Sequence, residues 1–127
     1  MTKDEKAYKT LIMADLNIVY HYADSNSKSE KLQAAYHMQQ AIEKTIKLKA
    51  MIKGLNLWGH DLDKLIYECD KRDIDIGVPN FIRKRAGVYT SWEARCRYTP
   101  TVIVNKNSIW AAYRATVAWL NSGDTEK

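Results

Sequence analysis

Ala34-Ala-Tyr-His-Met-Gln-Gln-Ala-Ile-Glu-Lys-Thr-Ile-Lys-Leu-Lys-Ala50 is the stretch on which the fold turns, because it reads as one long helix with two unlike sides. Gln33, His37, Gln40, Lys44 and Lys47 recur at steps of four, three, four and three, so a 3.6-residue helix projects them from one side. Leu32, Ala35, Ile42 and Ile46, with Met51 and Ile52 further on, fall on other sides and offer a core surface. Amides and ammonium groups in line are donors suited to a phosphate or nucleotide, through several charge-assisted bonds. The plain alternative for such a stripe is a solvated helix face, where lysine is common.

Outward from this helix, the rest of the chain also reads as helical. The spacing of Tyr8, Leu11, Ile12, Leu16, Val19 and Ala23 predicts a first helix from an N-cap at Asp4 to Ala23. The turn at residues 24–29 ends in Ser29, placed to cap the second helix, which runs until Gly54 supplies a left-handed C-terminal residue. After a linker at 55–59, a short third helix turns Leu62, Leu65, Ile66 and Cys69 inward, and residues 71–77 form a loop. Pro79 stands near the start of a fourth helix carrying Phe81, Ile82, Val88 and Tyr89. Pro100 ends that helical region, and residues 101–104 read as an extended connector. A last helix from about 106 to 121 presents Ile109, Tyr113, Thr116, Val117 and Leu120, with Gly123 ending it.

Composition bounds the answer. A chain of 127 residues with 46% hydrophobic content suits one domain, 1–127, ordered over about 5–121 with a frayed C-terminal tail. Nothing approaches the roughly 18 consecutive apolar residues that span a bilayer, and the start lacks the apolar run of a signal peptide. The expectation is a cytoplasmic protein without membrane contact. Cys69 and Cys96 form neither a close metal pair nor a disulfide framework, so both read as reduced, semi-buried side chains. No His, Cys, Asp and Glu set has metal-ligand spacing, no glycine-rich phosphate loop occurs, and no cofactor is implied. The net charge of +5 permits an anionic partner without demanding one. Its distribution is uneven: Lys44, Lys47, Lys49 and Lys53 follow the second helix, Arg83, Lys84, Arg85, Arg95 and Arg97 crowd a later stretch, and acidic residues gather between Asp61 and Asp75.

Downstream of the helix stand Gly59-His-Asp-Leu-Asp-Lys-Leu65 and Trp92-Glu-Ala-Arg-Cys-Arg-Tyr-Thr-Pro100. In this order, the Gln-Gln-Ala-x-Glu-Lys helix, the His-Asp-Leu-x-x-Leu helix start and the Ala-Arg-x-Arg-Tyr-x-Pro turn resemble the HEPN domain family, over roughly residues 5–121. The resemblance implies an all-α fold, an up-and-down four-helix bundle with a short additional helix. It also implies a homodimer, met among prokaryotic nucleotide-binding proteins, toxin–antitoxin pairs and RNA-cleaving enzymes, often beside a separate nucleotidyltransferase chain. The RNA-cleaving members share an arginine followed four to six residues later by a histidine. Here every arginine, from Arg72 to Arg114, lies after the last histidine, so no spacing satisfies that motif. General acid–base cleavage of RNA by that route is unsupported.

The candidate ligand donors are therefore His37, Gln40, Lys44 and Lys47 on the second helix, His60 beside the third, and Arg95, Arg97 and Tyr98 in the later turn. His37 and His60 also read simply as histidines that cap or pack. Asp15 falls between Ile12 and Val19 on the apolar side of the first helix, where an unpaired carboxylate is too costly. It requires a cation, with Lys44, Arg95 and Arg97 as candidates for a structural ion pair. The many tryptophans and tyrosines exceed what a small core needs and favour a dimer interface or a base-stacking surface. The resulting expectation is a non-catalytic module binding a nucleotide or other phosphate-bearing ligand. The alternatives are the protein-interaction half of a toxin–antitoxin pair, or a divergent RNA-binding or RNA-cleaving protein using Arg95, Arg97 and His60.

Overall fold

The computed structural model describes residues 1–98 and 104–123, and the side chains of these except 95–98. Five helices and no strand occur among the described residues: α1 (Lys3–Tyr22), α2 (Lys28–Ile52), α3 (Leu62–Lys71), α4 (Asn80–Tyr98) and α5 (Lys106–Leu120). The architecture is all-α, four long helices with α3 as the short one.

Local chemistry sets the helix ends. α1 starts earlier than Asp4 suggests, because Thr2 and Glu5 form a reciprocal capping box: Glu5 N–H donates to Thr2 Oγ1 and Thr2 N–H donates to Glu5 Oε1, both at 3.1 Å. α2 is capped by Ser27, whose hydroxyl accepts from Glu30 N–H, and the expected cap Ser29 lies inside the first turn. At its far end Gly54 takes φ +86, which lets Gly54 N–H reach Met51 O and Leu55 N–H reach Ala50 O, both at 2.9 Å. That pair of bonds closes the last carbonyls in a Schellman motif. α3 ends in the same way, but with Asp73 at φ +57 in the left-handed position.

α2 packs against each of the other four helices and forms the centre of the bundle. Its position explains its burial pattern: Leu32, Ala34, Ala35, Met38, Ala41, Ile42, Ile46 and Leu48 are all buried, on more than one side of the helix. Around them pack Ile12, Leu16 and Val19 of α1, Leu62 and Leu65 of α3, Ile82, Tyr89 and Trp92 of α4, and Ile109 and Leu120 of α5. Two expected core positions face water instead. Leu11 is exposed because α1 carries more apolar residues than its packed side can cover, and Val88 lies off the inward line of Ile82, Ala86 and Tyr89 on α4.

Polar fastenings hold the connections to this core. The Trp110 indole donates to Asp24 Oδ1 at 2.7 Å, tying the α1–α2 turn to α5. The Trp119 indole donates to Ile76 O at 2.9 Å, fixing the loop before α4. Leu62 N–H donates to Thr90 Oγ1 at 2.9 Å, which seats the start of α3 on α4. Lys49, buried on α2, sends its ammonium to Ser122 O at 2.9 Å, just past the C-terminus of α5, where a cation complements the helix dipole. The extended connector predicted at 101–104 lies outside the described residues except for Val104, which is buried.

Candidate functional site

Because α2 is enclosed on several sides, its polar residues cannot all reach bulk water, and the structure gathers them around two buried carboxylates. The first is Asp15, 6% exposed. Its Oδ2 accepts from Lys44 Nζ at 2.6 Å and its Oδ1 meets His37 Nδ1 at 2.8 Å. The cation that α1 requires therefore comes from one turn of α2 and the imidazole from another. Arg95 and Arg97, the other candidates for Asp15, have side chains outside the described residues, as does Tyr98.

The second carboxylate is Glu43, 4% exposed and on α2 itself. It accepts from Lys47 Nζ at 3.1 Å, from Gln39 Nε2 at 3.1 Å, and meets His60 Nδ1 at 3.0 Å. Gln39 Nε2 also reaches His60 O at 3.4 Å, while Gln40 Nε2 donates to Gln39 Oε1 at 2.7 Å. His60 precedes Asp61, the N-cap of α3, whose carboxylate accepts from Lys64 N–H at 3.2 Å. The loop from 55 to 61 is thus latched to α2 by a ring on one side and a backbone carbonyl on the other. Glu43 and Gln39 of the latch are buried, so each depends on the other and on its partners for hydrogen bonds, while the His60 ring is exposed.

The two sites repeat one pattern: a buried carboxylate, one lysine and one histidine bonded through Nδ1. Lys44 and Lys47 are three residues apart and stand side by side along one line of the helix. Among the described residues each ammonium gives one of its N–H donors to a carboxylate and keeps two. An ionised carboxylate only accepts, so a neutral imidazole bonded to it must carry its proton on Nδ1. The other ring nitrogen, Nε2, then presents a lone pair, and it has no hydrogen-bond partner among the described residues in either histidine. Two ammonium groups face two carboxylates, so with neutral imidazoles the cluster carries no net charge.

The surroundings supply aromatic and apolar surface. Ile18, Tyr22, Glu30, Gln33 and His37 line a groove of about 450 Å³ between α1 and α2. The Tyr36 ring stands edge-on to His37 at 5.1 Å. Trp58 is 87% exposed, two residues before His60. Of the donors expected from sequence, His37, Lys44, Lys47 and His60 are brought to the two carboxylates, and Gln40 joins through Gln39. Glu43 and Gln39 have no role in a reading by periodicity, although Gln39, Glu43 and Lys47 stand at successive steps of four, the spacing at which side chains on a helix meet. Among the described residues no group of three His, Cys, Asp or Glu side chains could hold a metal ion, and no helix is long and apolar enough to cross a membrane.

No curated protein and no solved structure matches the chain. The profile of the HEPN domain matches residues 13–115, from the turn of α1 that carries Asp15 through most of α5 and with both carboxylate sites inside it. The chain belongs to the HEPN domain family.

Proposed function

We propose that this HEPN domain is a non-catalytic module that binds a nucleotide or another phosphate-bearing ligand along the half-buried line of α2 that carries His37, Gln40, Lys44 and Lys47, beside the loop that carries His60. The observation that carries the reading is the doubled carboxylate, lysine and histidine arrangement, which holds Lys44, Lys47, His37 and His60 in place while leaving donors on both ammonium groups uncommitted among the described residues. Fixed, partly desolvated cations suit phosphate oxygens better than free surface lysines do, because less side-chain entropy is lost on binding. Tyr22, in the groove beside His37, and the exposed Trp58, two residues before His60, offer ring faces on which a base can stack. Catalysis of RNA cleavage is disfavoured because no arginine precedes any histidine. Arg95, Arg97 and Tyr98 belong to the same proposal as further donors, and a homodimer and a separate nucleotidyltransferase partner are its expected company.

A thermal-shift screen against nucleotides tests the proposal, since a ligand at 100 times its Kd stabilises the native state by about 2.7 kcal/mol. Binding that weakens at least tenfold in Lys44→Ala with Lys47→Ala supports the α2 line. Nucleotide binding unchanged in that double variant refutes it. A second reading, a module that pairs with a protein such as the other half of a toxin–antitoxin system, draws on the uncovered apolar residues Leu11, Met13 and Tyr20 of α1. Light scattering that gives the mass of one 14.7 kDa chain at every micromolar concentration removes the homodimer.

A further inference from the structure

We propose that the groove between α4 and α5 binds a small monocarboxylate with an apolar body, such as an aryl carboxylate, whose oxygens are held by the Arg85 guanidinium and the Tyr89 hydroxyl. The groove shares no lining residue with the α2 line, so this inference stands apart from the nucleotide reading.

The groove measures about 370 Å³, within the range of small-molecule sites. Its cation is fixed before any ligand arrives. Phe81 and Arg85 are four residues apart on α4, the spacing at which helix side chains meet. Arg85 Cζ lies 3.7 Å from the centre of the Phe81 ring, and Nη1 donates to Phe81 O at 3.1 Å. That bond uses one of the five N–H donors of a group that stays charged at any working pH. Arg72 and Arg83 each pair with a carboxylate, Glu68 and Asp70, whereas Arg85 meets none among the described residues, and no acidic side chain lines the groove.

A second observation is independent of the first. Tyr89 is 1% exposed, yet its hydroxyl has no hydrogen-bond partner among the described residues, although a buried phenol ordinarily finds one. Among those residues the unpartnered side-chain oxygen that is wholly sealed from solvent is Thr116 Oγ1. The Tyr89 oxygen therefore keeps an opening, and the groove it lines is where it opens. Burial pushes the Tyr89 pKa up against the opposing effect of the nearby Arg85, so the group is a neutral donor at pH 7. An O–H donor beside a cation calls for an anionic acceptor.

The rest of the lining selects the kind of anion. Asn107 and Ser108 stand in the first turn of α5, which has no acidic residue and where the helix dipole favours negative charge. One guanidinium balances one negative charge, and its planar fork matches the two oxygens of a carboxylate. Phe81, Ala111 and Val88, the last 56% exposed, give an apolar body a surface to cover, which an inorganic anion leaves bare.

Benzoate is the probe, titrated into the isotope-labelled chain at about pH 7, where its carboxyl is ionised, and followed by amide NMR shifts. Saturable shifts are expected at the residues that line the groove. Arg85→Gln should weaken binding roughly tenfold, and Tyr89→Phe, which keeps the ring, roughly fivefold. Arg83→Gln, outside the groove, should leave Kd unchanged, and acetate and inorganic phosphate should each bind several-fold more weakly than benzoate. Arg85 is exposed, so its replacement leaves the core intact and keeps the test open where Tyr89→Phe disturbs packing. No saturable shift at millimolar benzoate, or an unchanged Kd in either groove variant, overturns the site. Phosphate or acetate binding as tightly as benzoate overturns the assignment of its ligand.

Discussion

Replacing Asp15 by alanine deletes the acceptor shared by Lys44 and His37 and leaves the bundle otherwise filled. The carboxylate is 6% exposed, and both of its partners have side chains 23% exposed. Breaking a fully buried pair by removing one member costs about 3 to 5 kcal/mol, because the surviving charge is stranded away from water. Lys44 and His37 recover part of their hydration at their exposed edges, which places the expected loss at the lower end, about 3 kcal/mol. For a domain of this size that corresponds to a fall in Tm of roughly 10 °C. An ordinary surface aspartate costs within about 0.5 kcal/mol, so the two cases are well separated. Urea unfolding followed by circular dichroism measures the difference, provided the two m-values agree. A loss below about 1 kcal/mol refutes the reasoning: it requires that Asp15 be solvated and that Lys44 be free of it.

Three further outcomes concern single sites. Asp73→Gly is expected to stabilise by about 0.5 kcal/mol, since the residue holds φ +57 at the end of α3 where glycine carries no Cβ penalty; unfolding midpoints decide it, with Asp73→Val destabilised as the contrast. The thiol of Cys69 is pushed up by burial and then by the neighbouring carboxylates of Asp70 and Glu68, so in a Cys96→Ser background iodoacetamide at pH 7.5 should label it at the rate of unfolding; immediate labelling of the native protein contradicts its burial. The Arg83 guanidinium, bonded to Asp70 at 2.6 Å, holds that carboxyl below its usual range. The folded form then binds the proton less readily than the unfolded one, so this contribution is present above about pH 4 and is lost as pH falls through the folded-state value. Both groups are exposed, so Arg83→Ala should cost less than about 1 kcal/mol at pH 7, and less still in 1 M salt.

The legible part of this molecule is its periodicity. The steps of three and four along α1 and α2 place Ile12, Leu16, Val19, Ile42 and Ile46 in the core, and Gly54 ends α2 where a left-handed residue is needed. The need of Asp15 for a cation is legible for the same reason: a carboxylate on an apolar stripe has to be paired. What periodicity does not reveal is how many neighbours a helix will have. α2 touches all the others, and that is a tertiary fact; it is why Gln39, Glu43 and Lys49 are buried although each has the composition of a surface residue. The competition between Thr2 and Asp4 for the first cap, and between Ser27 and Ser29 for the second, turns on which side chain reaches the third amide along, and adjacent serines or acids leave that undecided in sequence.

Placing the candidate ligand donors on the central helix has a consequence for how affinity and stability trade against each other. Asp15 stabilises the fold by holding Lys44, and by holding it also masks a cation from any anion. Asp15→Asn separates the two effects better than alanine does, because the amide keeps the volume and one oxygen acceptor while removing the charge. The variant should be less stable than the wild type, by about 2 kcal/mol, since a charge-assisted bond to Lys44 becomes a neutral one. It should nevertheless bind sulfate more tightly, since the site gains one net positive charge and Lys44 no longer faces a competing anion. Urea unfolding and an NMR titration with sulfate are run on the same sample, and opposite signs are the expected result. If stability and affinity fall together, the carboxylate serves the ligand by positioning Lys44 and His37 rather than by masking them, and the account of a cation masked by Asp15 is wrong.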